Sequence, residues 1–334
     1  MMTVNKYVFL KILVRSPVNQ FIPLNRKAMC AREGVLGFDL YHISIESSLF
    51  EPVPLCESGT AISLVQDRLR EFPFDKMYVR QEEVGKYYSC MEHSLESVLD
   101  DPEVDVEGKS AMIYSCASNV MEDVFRDPRS GANLDRAKKI TDNIIKFSLN
   151  DTQSISHLLS LSSHDYYTFT HCVNVAVFAV GLFQFIGRGT DADLHALALG
   201  AILHDVGKTK IDDAILNKPG RLTDEEFAIM QTHSRLGYDL MKGKLGVGPL
   251  DVILHHHERF DGTGYPEKLK ADAISDNAKV STIADVYDAL TTIRPYSDAR
   301  KPFEALVLMK EKMVGHFAQK SFLSFIQFLS GGSS

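Results

Sequence analysis

The stretch "DADLHALALGAILHD" (Asp191 to Asp205) is apolar at most positions after its opening acids and closes on two polar residues, His204 and Asp205. Its length and apolar content predict a helix, and a helix this apolar is buried. Two polar side chains carried into the interior at its end need partners there. Working outward, "TFTHCVNVAVFAVGLFQFI", "TDEEFAIMQTHSRLGYDLM", "PLDVILHHHERF", "ISDNAKVSTIADVYDALT" and "KPFEALVLMKEK" are also helix-like, separated by Gly or Pro turns. The C-terminal half is therefore predicted to be all-helical.

Upstream, "AMIYSCASNVMEDVF" and "NLDRAKKITDNIIKFSL" repeat apolar residues at helical spacing, the second with Asn133 as a candidate N-cap. From about Tyr7 to Arg80 the pattern changes to short β-branched or alternating runs ("YVFLKILV", "FDLYHISI", "KMYVR") broken by Pro and Gly, with one amphipathic helix in "GTAISLVQDRLREF". The fold class is mainly α, with a smaller N-terminal α+β domain. The acidic, proline-containing "SLESVLDDPEVDVEGKSA" marks the boundary: 1–98 is read as the α+β domain, regulatory or interacting, 99–160 as a helical linker region, and 161–334 as the C-terminal helical domain.

Bulk composition narrows the function classes. The chain has 334 residues, 45% of them hydrophobic and 24% charged, a globular balance. A net charge of −8 argues against a broad grip on a DNA or RNA polymer or an anionic membrane, so a phosphate ligand must be met by a local basic pocket. Five scattered cysteines without C-x-x-C spacing read as reduced thiols in a cytoplasm. No signal segment is expected, and the apolar run Val173 to Gly187 is read as too short to span a membrane.

Histidines concentrate in the helical half. His171, His204, His233, His255, His256 and His257 fall at the ends or faces of successive helices, joined by Asp205 and Asp285. A bundle can bring such residues to one core. Imidazoles mixed with carboxylates suit iron, manganese or zinc rather than calcium or magnesium. Three consecutive histidines cannot share one helix face, since successive positions turn by about 100°. His42, His93, His157, His164, His195 and His316 are read as ordinary surface or core histidines.

Three segments, "HDVGK" (His204 to Lys208), "HHERFDGTGYP" (His256 to Pro266) and "ADVYDALTTIRPY" (Ala284 to Tyr296), resemble the signatures of the HD-GYP family of HD-domain phosphohydrolases. The resemblance runs from about His164 to the C-terminus and implies an HD-type helical bundle. It also implies a centre of two divalent metal ions, iron first and manganese next, with His171, His204, Asp205, His233, His256, His257 and Asp285 as ligands and Asp205 shared between the ions. His255 falls where the family does not require histidine and is expected to be a bystander. Two adjacent ions can acidify a shared water and stabilise charge on phosphoryl oxygens. Asp205 and Lys208 are the expected catalytic residues, and Lys208, Tyr265, Gly264, Arg294 and Asp288 the expected substrate contacts, Asp288 also as support for the ligands.

The substrate class that the resemblance implies is a cyclic dinucleotide, chiefly cyclic di-GMP, cleaved to linear pGpG and in some members onward to GMP. Two alternatives stand beside it: a phosphodiesterase for the hybrid 3′3′-cyclic GMP-AMP, and a weakly active or inactive receptor or scaffold. A protein partner for the N-terminal domain and a homodimer are further expectations. Two positions depart from the family pattern. Tyr167 stands where some members carry a third-metal glutamate, which favours two metals, and Ser297 replaces a frequent basic residue after "RPY".

Overall fold

The computed structural model describes residues 20–24, 26–29, 34–43, 52–71, 77–150, 152–161, 168–292 and 299–331. The chain forms two compact units, Met1–Cys116 and Ala117–Ser334. In the first, strands β1 (Phe21–Leu24), β2 (Leu40–Ile43), β3 (Pro52–Cys56) and β4 (Met77–Arg80) make an antiparallel sheet in the order β1-β4-β2-β3. Phe21 pairs with Arg80 and Leu24 with Met77 across β1 and β4. Alternation buries Met77 and Val79 on one face. Helix α1 (Ile62–Glu71) buries Ile62, Val65 and Leu69, spaced three and four apart. Helix α2 (Val84–Asp100) does the same with Tyr87, Met91, Leu95 and Val98.

Helix α3 (Val106–Arg126) leads into the second unit, and α4 (Gly131–Asn150) follows it. Asn133 is not the N-cap of α4. It lies inside the helix, where its N–H donates to Ser130 Oγ at 3.3 Å and its side-chain amide donates to the Asp123 carbonyl at 3.0 Å. Ser130 ends the preceding turn, so the capping oxygen comes from three residues earlier.

The rest of this unit is helical: α5 (Thr152–Ser160), α6 (Thr168–Ile186), α7 (Asp191–Leu203), α8 (Asp213–Leu216), α9 (Asp224–Gln231), α10 (His233–Met241), α11 (Val247–His255), α12 (Asp276–Thr291), α13 (Pro302–Lys312) and α14 (Gln319–Leu329). Helix α7 opens with a capping box between Thr190 and Asp193. It packs against α4, α6 and α11, which explains why it is apolar around its whole circumference. Helix α6 packs on α7, α12 and α14. At 19 residues α6 is longer than the run judged from sequence, and it is long and apolar enough to cross a membrane. Its residues from Thr170 to Leu182 are buried within the unit, as in the core helix of a globular bundle.

A 3₁₀ turn, Val206–Lys210, follows α7 and lies against α10. Gly207 permits this approach: a Cβ there would overlap the His233 carbonyl oxygen and the Gly237 amide nitrogen. Only a residue without a side chain lets the His204–Asp205 turn reach the start of α10.

A candidate metal centre

Three helix ends and two helix faces converge in the core of the helical unit. His204 caps the C-terminus of α7, His233 opens α10, and His256 follows α11, while His171 lies on α6 and Asp285 on α12. All five, together with Asp205, are buried, and His257 keeps a quarter of its side chain exposed.

The histidines share a local device. Nδ1 of His204, His233 and His256 donates to the carbonyl three residues earlier, Ala201 at 2.7 Å, Met230 at 2.8 Å and Ile253 at 2.9 Å. These carbonyls belong to last helical turns, where the regular four-residue N–H partners run out. His171 Nδ1 instead donates to Asp288 Oδ2 at 2.6 Å. With Nδ1 engaged in this way, each ring turns its Nε2 inward, a nitrogen through which imidazole ligates a metal.

Two groups of potential ligand atoms result, His171 with His204 and Asp205, and His233 with His256 and His257, each spanning no more than 4.8 Å. Asp205 addresses both. Its Oδ2 lies 3.3 Å from His204 Nε2 and 3.7 Å from His171 Nε2, and its Oδ1 lies 3.4 Å from His233 Nε2. Asp285 does likewise, with Oδ1 3.1 Å from His171 Nε2 and Oδ2 3.6 Å from His257 Nδ1.

The donor set fits divalent metal. His204 Nε2 and Asp205 Oδ1 are fully buried without a hydrogen-bond partner, an arrangement that costs free energy unless something positive lies between them. His233 Nε2 and His256 Nε2 face each other at 3.1 Å with their protons committed elsewhere. Burial drives the His233 imidazole down to about 4 and His257 to about 3, and holds His256 well below its usual range. These rings are neutral, ligand-ready bases at pH 7. Burial alone would raise both carboxyls. Lys208 and His204 nevertheless hold Asp205 well below the carboxylate range, as a bond to His171 and the nearby His257 hold Asp285.

Lys208 sits at the margin, mostly buried, with Nζ 2.5 Å from Asp205 Oδ2. The Tyr265 ring tilts over His257, centroids 4.7 Å apart, and burial with the two carboxylates raises its phenol, which therefore stays protonated. Gly264 is buried, and a Cβ there would strike the backbone of Glu258 and Arg259; its role is to let the loop fold back on itself. Asp288 takes the second of its two expected places, behind a ligand. Only 1% exposed, it spends Oδ2 on His171 and Oδ1 on Asn174 at 2.9 Å, so it supports a ligand from behind and does not face a substrate. Arg294, Tyr167, Ser297 and His164 lie outside the described residues.

Sequence reasoning passed over Asn174, Thr282 and Glu258. Asn174 lies one turn beyond His171 in an otherwise apolar run, a signal that was legible. Thr282 Oγ donates to the His256 carbonyl at 2.8 Å from across the bundle. Glu258, 1% exposed, accepts from the Glu267 and Leu269 amides at 2.7 and 3.0 Å and thereby folds the loop that carries Tyr265. Of the histidines set aside, His195 pairs with Asp142 and His93 with the Ser89 carbonyl, both exposed.

Residues 188–319 match the family model of the HD domain. Bd1817, an HDG"Y"P protein from Bdellovibrio bacteriovorus, superposes on 93% of this chain and 100% of its own with a TM-score of 0.66 at 20% identity. This chain carries an HD domain. Among curated proteins, it is 36% identical over 222 residues to the cyclic di-GMP phosphodiesterase PA4108 of Pseudomonas aeruginosa, covering 65% of this chain and 53% of that one. It is 38% identical over 135 residues to 3′3′-cGAMP-specific phosphodiesterase 2 of Vibrio cholerae, covering 39% and 26%. The chain thus spans about half the length of the first relative and about a quarter of the second.

Proposed function

We propose that this chain is a metal-dependent phosphodiesterase that hydrolyses cyclic di-GMP to linear pGpG. The observation that carries the reading is the pair of three-ligand groups with the Asp205 carboxylate between them. Similarity to proteins named cyclic di-GMP phosphodiesterases supports the substrate. Two divalent ions, iron first and manganese next, suit the mixed imidazole and carboxylate donors. When bound, they would supply Lewis acidity toward a phosphoryl oxygen and a water acidic enough to attack near neutral pH.

The chain's own residues do the rest. Backbone carbonyls and Asp288 lock the ring orientations before any ligand arrives, which removes reorganisation from the reaction. Lys208 places a cation beside Asp205 at the accessible margin, where charge builds on a phosphate oxygen or a leaving oxygen. Tyr265 offers a protonated phenol and a ring face next to His257. Reduced thiols at Cys56, Cys90, Cys116 and Cys172 accord with a cytoplasmic protein, and the N-terminal α+β unit is assigned to partner binding or dimerisation.

A second reading, hydrolysis of hybrid 3′3′-cyclic GMP-AMP, is favoured by the similarity to a protein named for that activity. The test is elemental analysis of anaerobically purified protein together with product separation after incubation with each dinucleotide. About two iron or manganese ions per chain and pGpG from cyclic di-GMP support the main reading. Turnover confined to the hybrid substrate selects the second, and full metal with no turnover of either overturns both.

A further inference from the structure

We infer that His255, the first of the three consecutive histidines, is a positioning residue that sets the direction of the two ligands after it. The inference rests on the proposed metal role of His256 and His257. His255 ends α11 and is 9% exposed, yet it belongs to neither ligand group. Its Nδ1 lies 2.8 Å from Asp251 Oδ1 and its Nε2 lies 3.4 Å from Glu267 Oε2.

Both carboxylates have a second partner. The other oxygen of Asp251 accepts from Ser275 Oγ, and Ser275 is the N-cap of α12, the helix that carries Asp285. The other oxygen of Glu267 accepts from Arg235 Nη2 at 2.7 Å, and Arg235 lies on α10 two residues after His233. A single hydrogen-bonded chain, Ser275–Asp251–His255–Glu267–Arg235, therefore touches the three elements that supply His233, His256, His257 and Asp285. Glu267 also stands two residues after Tyr265, whose ring lies on His257.

Residue chemistry explains why histidine serves here. The link needs donors on opposite edges of one short, rigid side chain, which imidazole provides and an amide does not. Because His255, His256 and His257 are consecutive, a rotation of the His255 backbone turns both following side chains with it. Fixing one ring at two points fixes the aim of two ligands.

The test uses the full chain titrated with cobalt(II) and followed by its visible absorption, in the wild type, His255→Ala, Glu267→Ala and the double variant. Each single change should weaken one cobalt site by about tenfold and shift the visible bands, the range seen when supports of metal ligands are removed. The double variant should be no weaker than His255→Ala, and Glu267→Gln, which keeps an acceptor oxygen, should restore most of the affinity. Glu267 keeps 42% of its side chain exposed, so its variants are expected to fold even where His255→Ala does not. Wild-type affinity and an unchanged spectrum in Glu267→Ala, with only a lower melting temperature, would overturn the inference. A wild-type protein that takes up no cobalt overturns the metal reading itself, and the inference with it.

Discussion

His233 Nε2 lies 3.1 Å from His256 Nε2, and both rings already donate their Nδ1 protons to backbone carbonyls. Two lone pairs held face to face repel, and a cation between them turns that repulsion into coordination. The metal-free protein should accordingly be the less stable form. Chelation followed by calorimetry should lower Tm, and a hundredfold excess of ion over Kd should restore about 3 kcal/mol per site. An unchanged Tm on chelation and reloading would count against the site.

Asp205 belongs to one ligand group and directs its second oxygen at the other. Asp205→Asn keeps the volume and removes the charge. Elemental analysis should show metal content falling from about two ions to one or none, with helical circular dichroism retained and turnover lost by about a thousandfold or more. His233→Ala touches one group only, so it should leave one ion bound. Equal losses in the two variants would argue against the sharing.

Acid should destabilise the metal-free protein in a defined window. His233 and His257 have folded values of about 4 and 3 against an ordinary value of 6.5, so the unfolded chain binds more protons as pH falls below 6.5. Stability is therefore full above that value and is lost as pH drops toward 4, by about 3 kcal/mol for His233 alone. The depressed carboxyls Asp205 and Asp285 extend the loss further into acid. Urea midpoints of chelated protein between pH 7 and 4 check the sign; a midpoint that rises on acidification would refute it.

Lys208→Met retains the apolar stem and removes the cation beside Asp205. Metal content should hold while kcat falls about 10²–10³-fold, the cost of removing one group that stabilises developing charge. Loss of metal in parallel with activity would instead make Lys208 a structural counter-ion.

Glu258→Gln replaces two acceptor oxygens by one, leaving either the Glu267 or the Leu269 amide facing an NH₂ group. The cost should be about 1–3 kcal/mol in urea denaturation. KM should rise because the loop carrying Tyr265 is no longer pinned. A change in stability with KM untouched would separate that loop from substrate binding.

Much of this was legible from particular residues. The apolar character of α7 and its His204–Asp205 terminus follow from one 15-residue stretch. Even the Nδ1 bonds to carbonyls three residues back are local, since a histidine at a helix C-terminus meets the orphan carbonyls of its own last turn. Other features were not legible. Asp288 read both as a substrate contact and as a support for the ligands, and which ligand it holds was hidden because His171 stands 117 positions away in the chain. Gly264 read as a substrate contact because the backbone that crosses it could not be seen. Asn133 read as a cap because the nearby Ser130 competed for the same position.

By itself the sequence determined the donor types and the helices that carry them, because each depends on the residue itself or on contacts within a few residues. Tertiary structure decided which nitrogen faces inward beside which carboxylate, that Asp205 serves two groups, and that His255 faces Asp251 and Glu267 while its two neighbours face the centre. Those outcomes depend on the angle and depth at which α6, α7, α10, α11 and α12 pack. That geometry is the sum of many small apolar contacts, none of which is written at the position of a ligand.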